Sequence, residues 1–117
     1  MKRILVVDDD TDFLHMAART LEKRGFSAIP VAGTQAALAA LEQGRVDAVL
    51  LDVVLGRENG WETLRRLHES NPAPILLMSG AVDDDMRIDA QKLGALGVIQ
   101  KPFEWDSVIE KLSQVLR

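Results

Sequence analysis

Cysteine is absent from this 117-residue chain. That excludes a disulfide framework and any thiolate metal site. A long basic run is missing too: 14 basic residues stand against 18 acidic ones, for a net charge of −4. The chain therefore carries no electrostatic footprint for nucleic acid. No apolar run approaches the roughly 20 residues of a membrane span. Met1-Lys2-Arg3 leads straight into a short apolar stretch, without the long apolar segment or cleavage site of a secretory leader. Low-complexity segments, linkers and long repeats are lacking as well. The expectation is one cytoplasmic domain over residues 1–117, with no membrane contact and no direct contact with nucleic acid. At 47% hydrophobic residues, the chain holds enough apolar side chain for a continuous core.

What is present is an alternation of apolar runs and amphipathic stretches from end to end. A first strand is expected at about residues 3–8, followed by a helix from about 11 to 24. Phe13, Leu14, Ala17, Ala18 and Leu21 share one face of that helix, and Gly25 stops it. Ser27 to Val31 is a second strand. Thr34 is expected to cap a helix carrying Ala37, Leu38 and Leu41, with Gly44 ending it. Asp47 to Asp52 is the third strand. Glu58 or Asn59 opens a third helix, closed at Asn71-Pro72. Ile75 to Ser79 is the fourth strand, Asp83 to Asp85 lead a helix that stops at Gly94, and Leu96 to Gln100 is the fifth strand. A last helix runs from about 105 to the end. The runs are short, continuously apolar and rich in Val, Ile and Leu, the pattern of strands covered by helices on both faces. Right-handed crossovers then make the sheet parallel.

Chemistry collects at the ends of these strands. Ala48-Val49-Leu50-Leu51 delivers Asp52, Ile4-Leu5-Val6-Val7 delivers Asp8-Asp9-Asp10, Ile75-Leu76-Leu77-Met78 delivers Ser79, and the fifth strand delivers Lys101-Pro102. Parallel-sheet proteins place their sites at this edge. Clustered carboxylates repel one another, and a hard divalent cation such as Mg²⁺ relieves that with a few carboxylates, waters and phosphate oxygens. Asp8, Asp9 and Asp52 are the candidate ligands, with the Val54 carbonyl a further oxygen just beyond. Taken alone, Asp9 or Asp10 would be read as a helix N-cap; a cap accounts for one aspartate, not for three beside a fourth. Asp52 is a competent nucleophile toward phosphorus once the incoming charge is neutralised by the metal and by Lys101. Ser79 is placed to hydrogen-bond the phosphoryl group afterwards.

Val6-Val7-Asp8-Asp9-Asp10, Leu50-Leu51-Asp52, Met78-Ser79-Gly80 and Lys101-Pro102-Phe103 resemble the motifs of response-regulator receiver domains of two-component signalling, chemotaxis regulators among them. The resemblance spans the whole chain in order. It implies a doubly wound, flavodoxin-like (βα)5 fold with strand order 2-1-3-4-5. It further implies that Asp52 accepts a phosphoryl group from a sensor histidine kinase or phosphotransfer protein. Asp8, Asp9, Asp52 and the Val54 carbonyl would bind Mg²⁺, Ser79 would be the switch hydroxyl and Lys101 would pair with the phosphate. Gly60 matches a family glycine after the third strand, and the Lys101-Pro102 bond is commonly cis in the family. Output would pass to a partner protein or to an effector domain, with the fourth-helix to fifth-strand face as the expected contact surface. Such a chain is a switch that modifies its own side chain, not an enzyme turning over external substrates.

The pattern departs from the family in four places. Ser79 stands where threonine is commoner. Gly56 replaces a usual proline, which predicts a more mobile loop after Asp52. Val98 replaces the usual Tyr or Phe, so a ring rotation cannot carry the signal. Leu96-Gly97-Val98 stands in place of an Ala-Asp-Asp-Tyr stretch, and the typical arginine of the final helix is lacking. Rival readings meet specific obstacles. A haloacid-dehalogenase-type phosphatase needs an acid two residues after its nucleophile, where this chain has Val54. A flavodoxin-type cofactor module needs a Ser/Thr/Gly-rich phosphate loop where three aspartates stand. A pseudo-receiver, a docking module never phosphorylated, is the remaining alternative. His15 and His68 read as polar helix-face residues, and Trp61 and Trp105 as half-buried packing.

Overall fold

Apolar runs became strands and 3.6-period stretches became helices. The computed structural model describes residues 1–116. In chain order the elements are β1 (Arg3–Val7), α1 (Thr11–Lys23), β2 (Ser27–Val31), α2 (Thr34–Gln43), β3 (Ala48–Asp52), β4 (Val54–Leu55), β5 (Glu58–Asn59), α3 (Gly60–Ser70), β6 (Ile75–Ser79), α4 (Asp84–Lys92), β7 (Ala95–Gln100) and α5 (Trp105–Val115). Five strands form one sheet in the order β2-β1-β3-β6-β7, and every pairing in it is parallel. Counting only the sheet strands, this is the expected 2-1-3-4-5 doubly wound, flavodoxin-like arrangement.

The two faces of the sheet divide the core by the period of two along each strand. Leu5, Val7, Val49, Leu51, Ile75 and Leu77 pack on one side, with residues of α2, α3 and α4. Ile4, Val6, Ala48, Leu50, Leu76 and Met78 pack on the other, with Leu14, Ala17 and Leu21 of α1 and Val108 and Leu112 of α5. β3 sits in the middle of the sheet and is buried along its whole length. An aspartate at its end therefore has a rigid base. Among the described residues, no helix is long and apolar enough to cross a membrane.

Two local features differ from the sequence expectation, and the helix-ending glycines, placed as expected, are of two kinds. The N-cap of α2 is Gly33, not Thr34, and Gly33 has no side chain to offer the helix. Gly44 ends α2 with extended backbone at φ −175°, whereas Gly25 (φ +89°) and Gly94 (φ +109°) terminate their helices in the left-handed region. Finally, β4 and β5 pair antiparallel, Val54 with Asn59 and Leu55 with Glu58, forming a small hairpin directly after Asp52. Gly56 holds φ +62° at the first position of its two-residue turn, a conformation closed to proline. Gly56 thus sits in a formed turn.

Candidate functional site

Three strand ends meet at the carboxyl edge of the sheet. β1 and β3 are neighbours in register, with Val7 opposite Leu51. Asp8 and Asp52 consequently emerge side by side, 1% and 8% exposed. The backbone N–H groups just beyond each acid orient it: Asp10 N–H donates to Asp8 Oδ1 at 3.0 Å, and Val54 N–H donates to Asp52 Oδ1 at 2.8 Å. The second oxygen of each faces Lys101, whose ammonium donates to Asp8 Oδ2 at 2.8 Å and to Asp52 Oδ2 at 2.6 Å. Lys101 is delivered by β7 and followed by a cis bond to Pro102, and its backbone N–H donates to the Ser79 carbonyl.

Burial is the largest single influence on both Asp8 and Lys101. It pushes the Asp8 carboxyl above its ordinary value, by more than the Lys101 hydrogen bond and the Asp10 N–H pull it down. Burial alone would pull Lys101 down, but the hydrogen bonds it donates to Asp52 and Asp8 and the charges of those acids together outweigh it, and its pKa is raised. The signs have opposite consequences. Folded Asp8 takes up a proton more readily than unfolded Asp8, so its carboxylate costs stability above its folded pKa. That cost is relieved as pH falls through the folded value toward the ordinary 3.8. Lys101 contributes stability below its ordinary 10.5, and that contribution is lost as pH rises through the raised folded value.

The other expected site residues lie around this triad. Ser79 is buried at the end of β6, one position beyond the Asp52–Met78 pair. Its hydroxyl donates to the Ala81 carbonyl at 3.0 Å and accepts from the Ala81 N–H at 3.2 Å, so it serves its own turn and not Asp52. Asp10 caps α1, accepting from the Phe13 N–H. Asp9 is exposed, and its Oδ2 lies 3.0 Å from where a Cβ on Gly56 would stand, so it overhangs the β4–β5 turn. Among the described residues, no three acidic or imidazole side chains converge tightly enough to grip a metal unaided. Lys101 supplies the neutralising charge. The donors available from Asp8, Asp9, Asp52 and the Val54 carbonyl are all oxygen, which suits a hard divalent cation. Val98 is buried in the core opposite Leu77, and His15 and His68 are exposed.

Sequence reasoning missed Glu58. From β5 its Oε1 accepts the Thr34 N–H at 2.9 Å and the Thr34 hydroxyl at 3.2 Å. The Thr34 hydroxyl also meets the buried Thr63 hydroxyl at 2.7 Å. Glu58 thus caps α2 from outside the helix, replacing the side chain that Gly33 lacks, and it tethers the hairpin after Asp52 to α2. Its only advance signal is a glycine standing directly before the helix. Glu58→Ala is expected to cost about 1 kcal/mol, the worth of an N-cap, and to speed amide exchange in the first turn of α2. Unchanged exchange at Thr34 would show that the carboxylate does not cap.

Comparison with known proteins agrees with this geometry. The family whose model matches is described as the response regulator receiver domain, over residues 4–113. The chain is 30% identical over 117 residues to the transcriptional regulatory protein CpxR of Klebsiella pneumoniae, covering 100% of this chain and 50% of that protein. It is 33% identical over 118 residues to the regulatory protein VirG of Agrobacterium fabrum, covering 100% of this chain and 47% of that one. Among solved structures, the chemotaxis protein CheY4 of Vibrio cholerae superposes with a TM-score of 0.91 at 27% identity, covering 99% of both chains. The chain spans about half the length of the curated relatives it matches.

Proposed function

The chain belongs to the response regulator receiver domain family of two-component signalling, and from that premise we propose that Asp52 is its phosphoryl acceptor. The observation that carries this reading is the double bridge from Lys101 to Asp8 and Asp52 at adjoining strand ends. It places a fixed cation beside a buried carboxylate, where an incoming phosphoryl group brings negative charge. An Asp52 carboxylate oxygen attacks phosphorus while the donor's P–N bond breaks and its electron pair returns to the histidine ring of a sensor kinase or phosphotransfer protein. Val54 N–H holds one Asp52 oxygen and so aims the other. Asp8, Asp9, Asp52 and the Val54 carbonyl are the groups to hold Mg²⁺, which when bound neutralises phosphoryl oxygens.

After transfer, Ser79, at the end of the strand beside β3, is the hydroxyl to turn onto the phosphoryl group. Doing so breaks both of its bonds to Ala81. That releases the Gly80–Val82 segment, which leads into α4. With Val98 already packed in the core, this backbone movement is the switch, an equilibrium shifted by contacts made only in the phosphorylated state. Hydrolysis of the aspartyl phosphate resets it. Turnover of external substrates is not expected: the Val54 side chain is exposed and apolar where an acid–base group would have to stand. Output goes to a partner protein or effector domain. The relatives are regulators about twice this length, and the α4–β7 face, where Ile88 and Leu96 are exposed, is the contact surface we assign.

The test is intact mass after incubation with acetyl phosphate and Mg²⁺. The wild type is expected to gain one phosphoryl group, labile to hydroxylamine, and Asp52→Asn to gain none. If the wild type gains none and also fails to bind beryllofluoride, the docking-module reading replaces this one.

A further inference from the structure

Lys101 has a third partner besides its two acids. Its Nζ lies 4.3 Å from the centroid of the Phe13 ring, over the face. Phe13 stands in the first turn of α1, and that turn is itself fixed by the Asp10 cap on the Phe13 N–H. The ring is wedged on its other sides. Trp105 stacks on it at 6.0 Å and 24°, and Phe103 meets it edge-on at 6.1 Å and 83°. Phe103 and Trp105 in turn meet edge-on at 5.1 Å. These three rings are three of the chain's five aromatic residues, and they form one cluster in which Phe13 faces the ammonium.

We infer that Phe13 is a positioning residue for phosphoryl transfer, its ring face fixing the Lys101 ammonium between Asp8 and Asp52. The inference rests on the reading of Asp52 as phosphoryl acceptor. Lysine is a point charge on a flexible four-carbon stem. Two carboxylates attract the charge but leave the stem free to swing along the line between them. The negative face of an aromatic ring closes the open side. Because Phe103 and Trp105 hold that ring, the ammonium is fixed from the start of α1 and the start of α5 at once. The role assigned to Phe13 is exerted through Lys101 and not on the phosphoryl group itself.

Two substitutions separate this role from packing. Phe13→Leu keeps an apolar side chain and removes the ring face; Phe13→Tyr keeps the face. Phe13→Met, equally without a ring, stands in if Phe13→Leu does not fold. The first readout needs no phosphoryl group: the ε-methylene protons of Lys101, next to the ring, are expected to resonate upfield in the wild type and Phe13→Tyr and to lose that shift in Phe13→Leu. The second is phosphorylation by acetyl phosphate with Mg²⁺. The maximal rate is expected to fall about fivefold in Phe13→Leu at an unchanged half-saturating concentration, and to recover to within about twofold in Phe13→Tyr. A Phe13→Leu variant that matches the wild type, or a Phe13→Tyr variant that falls with it, overturns the inference. A wild type that takes up no phosphoryl group overturns instead the reading of Asp52, and the kinetic half of the inference with it. The NMR arm then still decides whether the ring holds the ammonium.

Discussion

Gly60→Ala is expected to destabilise the protein by at least about 3 kcal/mol, enough to consume a large part of a small domain's stability. A Cβ on Gly60 would stand 2.1 Å from the Val53 carbonyl oxygen, 2.5 Å from its carbon and 2.7 Å from the Val53 Cα. All three atoms are backbone, so no side-chain rotation relieves the clash. Gly60 is buried at the start of α3, and Val53 directly follows Asp52, the proposed phosphoryl acceptor. Relief must come from moving either the helix or the loop. Gly80→Ala is the control, because nothing lies within 4 Å of its Cβ position and its φ is not in the left-handed region. Urea unfolding of both variants measures the difference. Equal midpoints would mean that the contact relaxes at little cost and that Gly60 is dispensable to the fold.

Lys101→Met is the second large effect, and it acts on stability and chemistry together. Removing one partner of a fully buried ion pair costs about 3–5 kcal/mol. The Lys101 side chain is 25% exposed, so water screens part of that loss, and about 2 kcal/mol at neutral pH is expected. Asp8 and Asp52 are left buried with like charge. From about neutral pH the wild-type advantage is constant up to about the ordinary lysine value of 10.5, and it is lost as pH rises through the raised folded value. Urea unfolding at about pH 7 and about pH 12 tests this; an advantage that persists at the higher pH would show that the stem of the lysine, not its charge, stabilises the fold. Phosphorylation by acetyl phosphate is expected to slow about a hundredfold, the loss typical of removing one charge stabiliser.

Much of this was legible in the sequence, for physical reasons that differ from residue to residue. Asp52 stood out because a strand buried on both faces reads as an unbroken apolar run, and its end is marked by the first charge. Lys101, Asp8 and Ser79 followed from the same logic of strand ends sharing one edge, whereas the double bridge from Lys101 to Asp8 and Asp52 was seen only in the structure. The β4–β5 hairpin was not legible, since two-residue strands are too short to show any period. Nor was the capping of α2. Local preference favours Thr34, but the helix starts one residue earlier, at a glycine, and its cap arrives from Glu58, 24 residues away. Phe13 was placed correctly on the inner side of α1, yet its partner there is an ammonium from the other end of the chain. Pattern along a chain reports which face is apolar, not which residue will stand against it.

That distance along the chain has a further consequence. Asp8 and Lys101 are 93 residues apart, and Asp52 and Lys101 are 49 apart. As the polypeptide emerges from the ribosome, both acids are made long before the ammonium. Pairing β1 with β3 sets two like charges side by side, which the Asp10 and Val54 N–H groups orient but which, among the described residues, Lys101 alone bridges as a cation. β7 and α5 therefore dock against an unbalanced charge as well as against apolar surface. A polypeptide interrupted before residue 101 carries the two acids without their ammonium, so the last βα unit brings the balancing charge together with its share of the core.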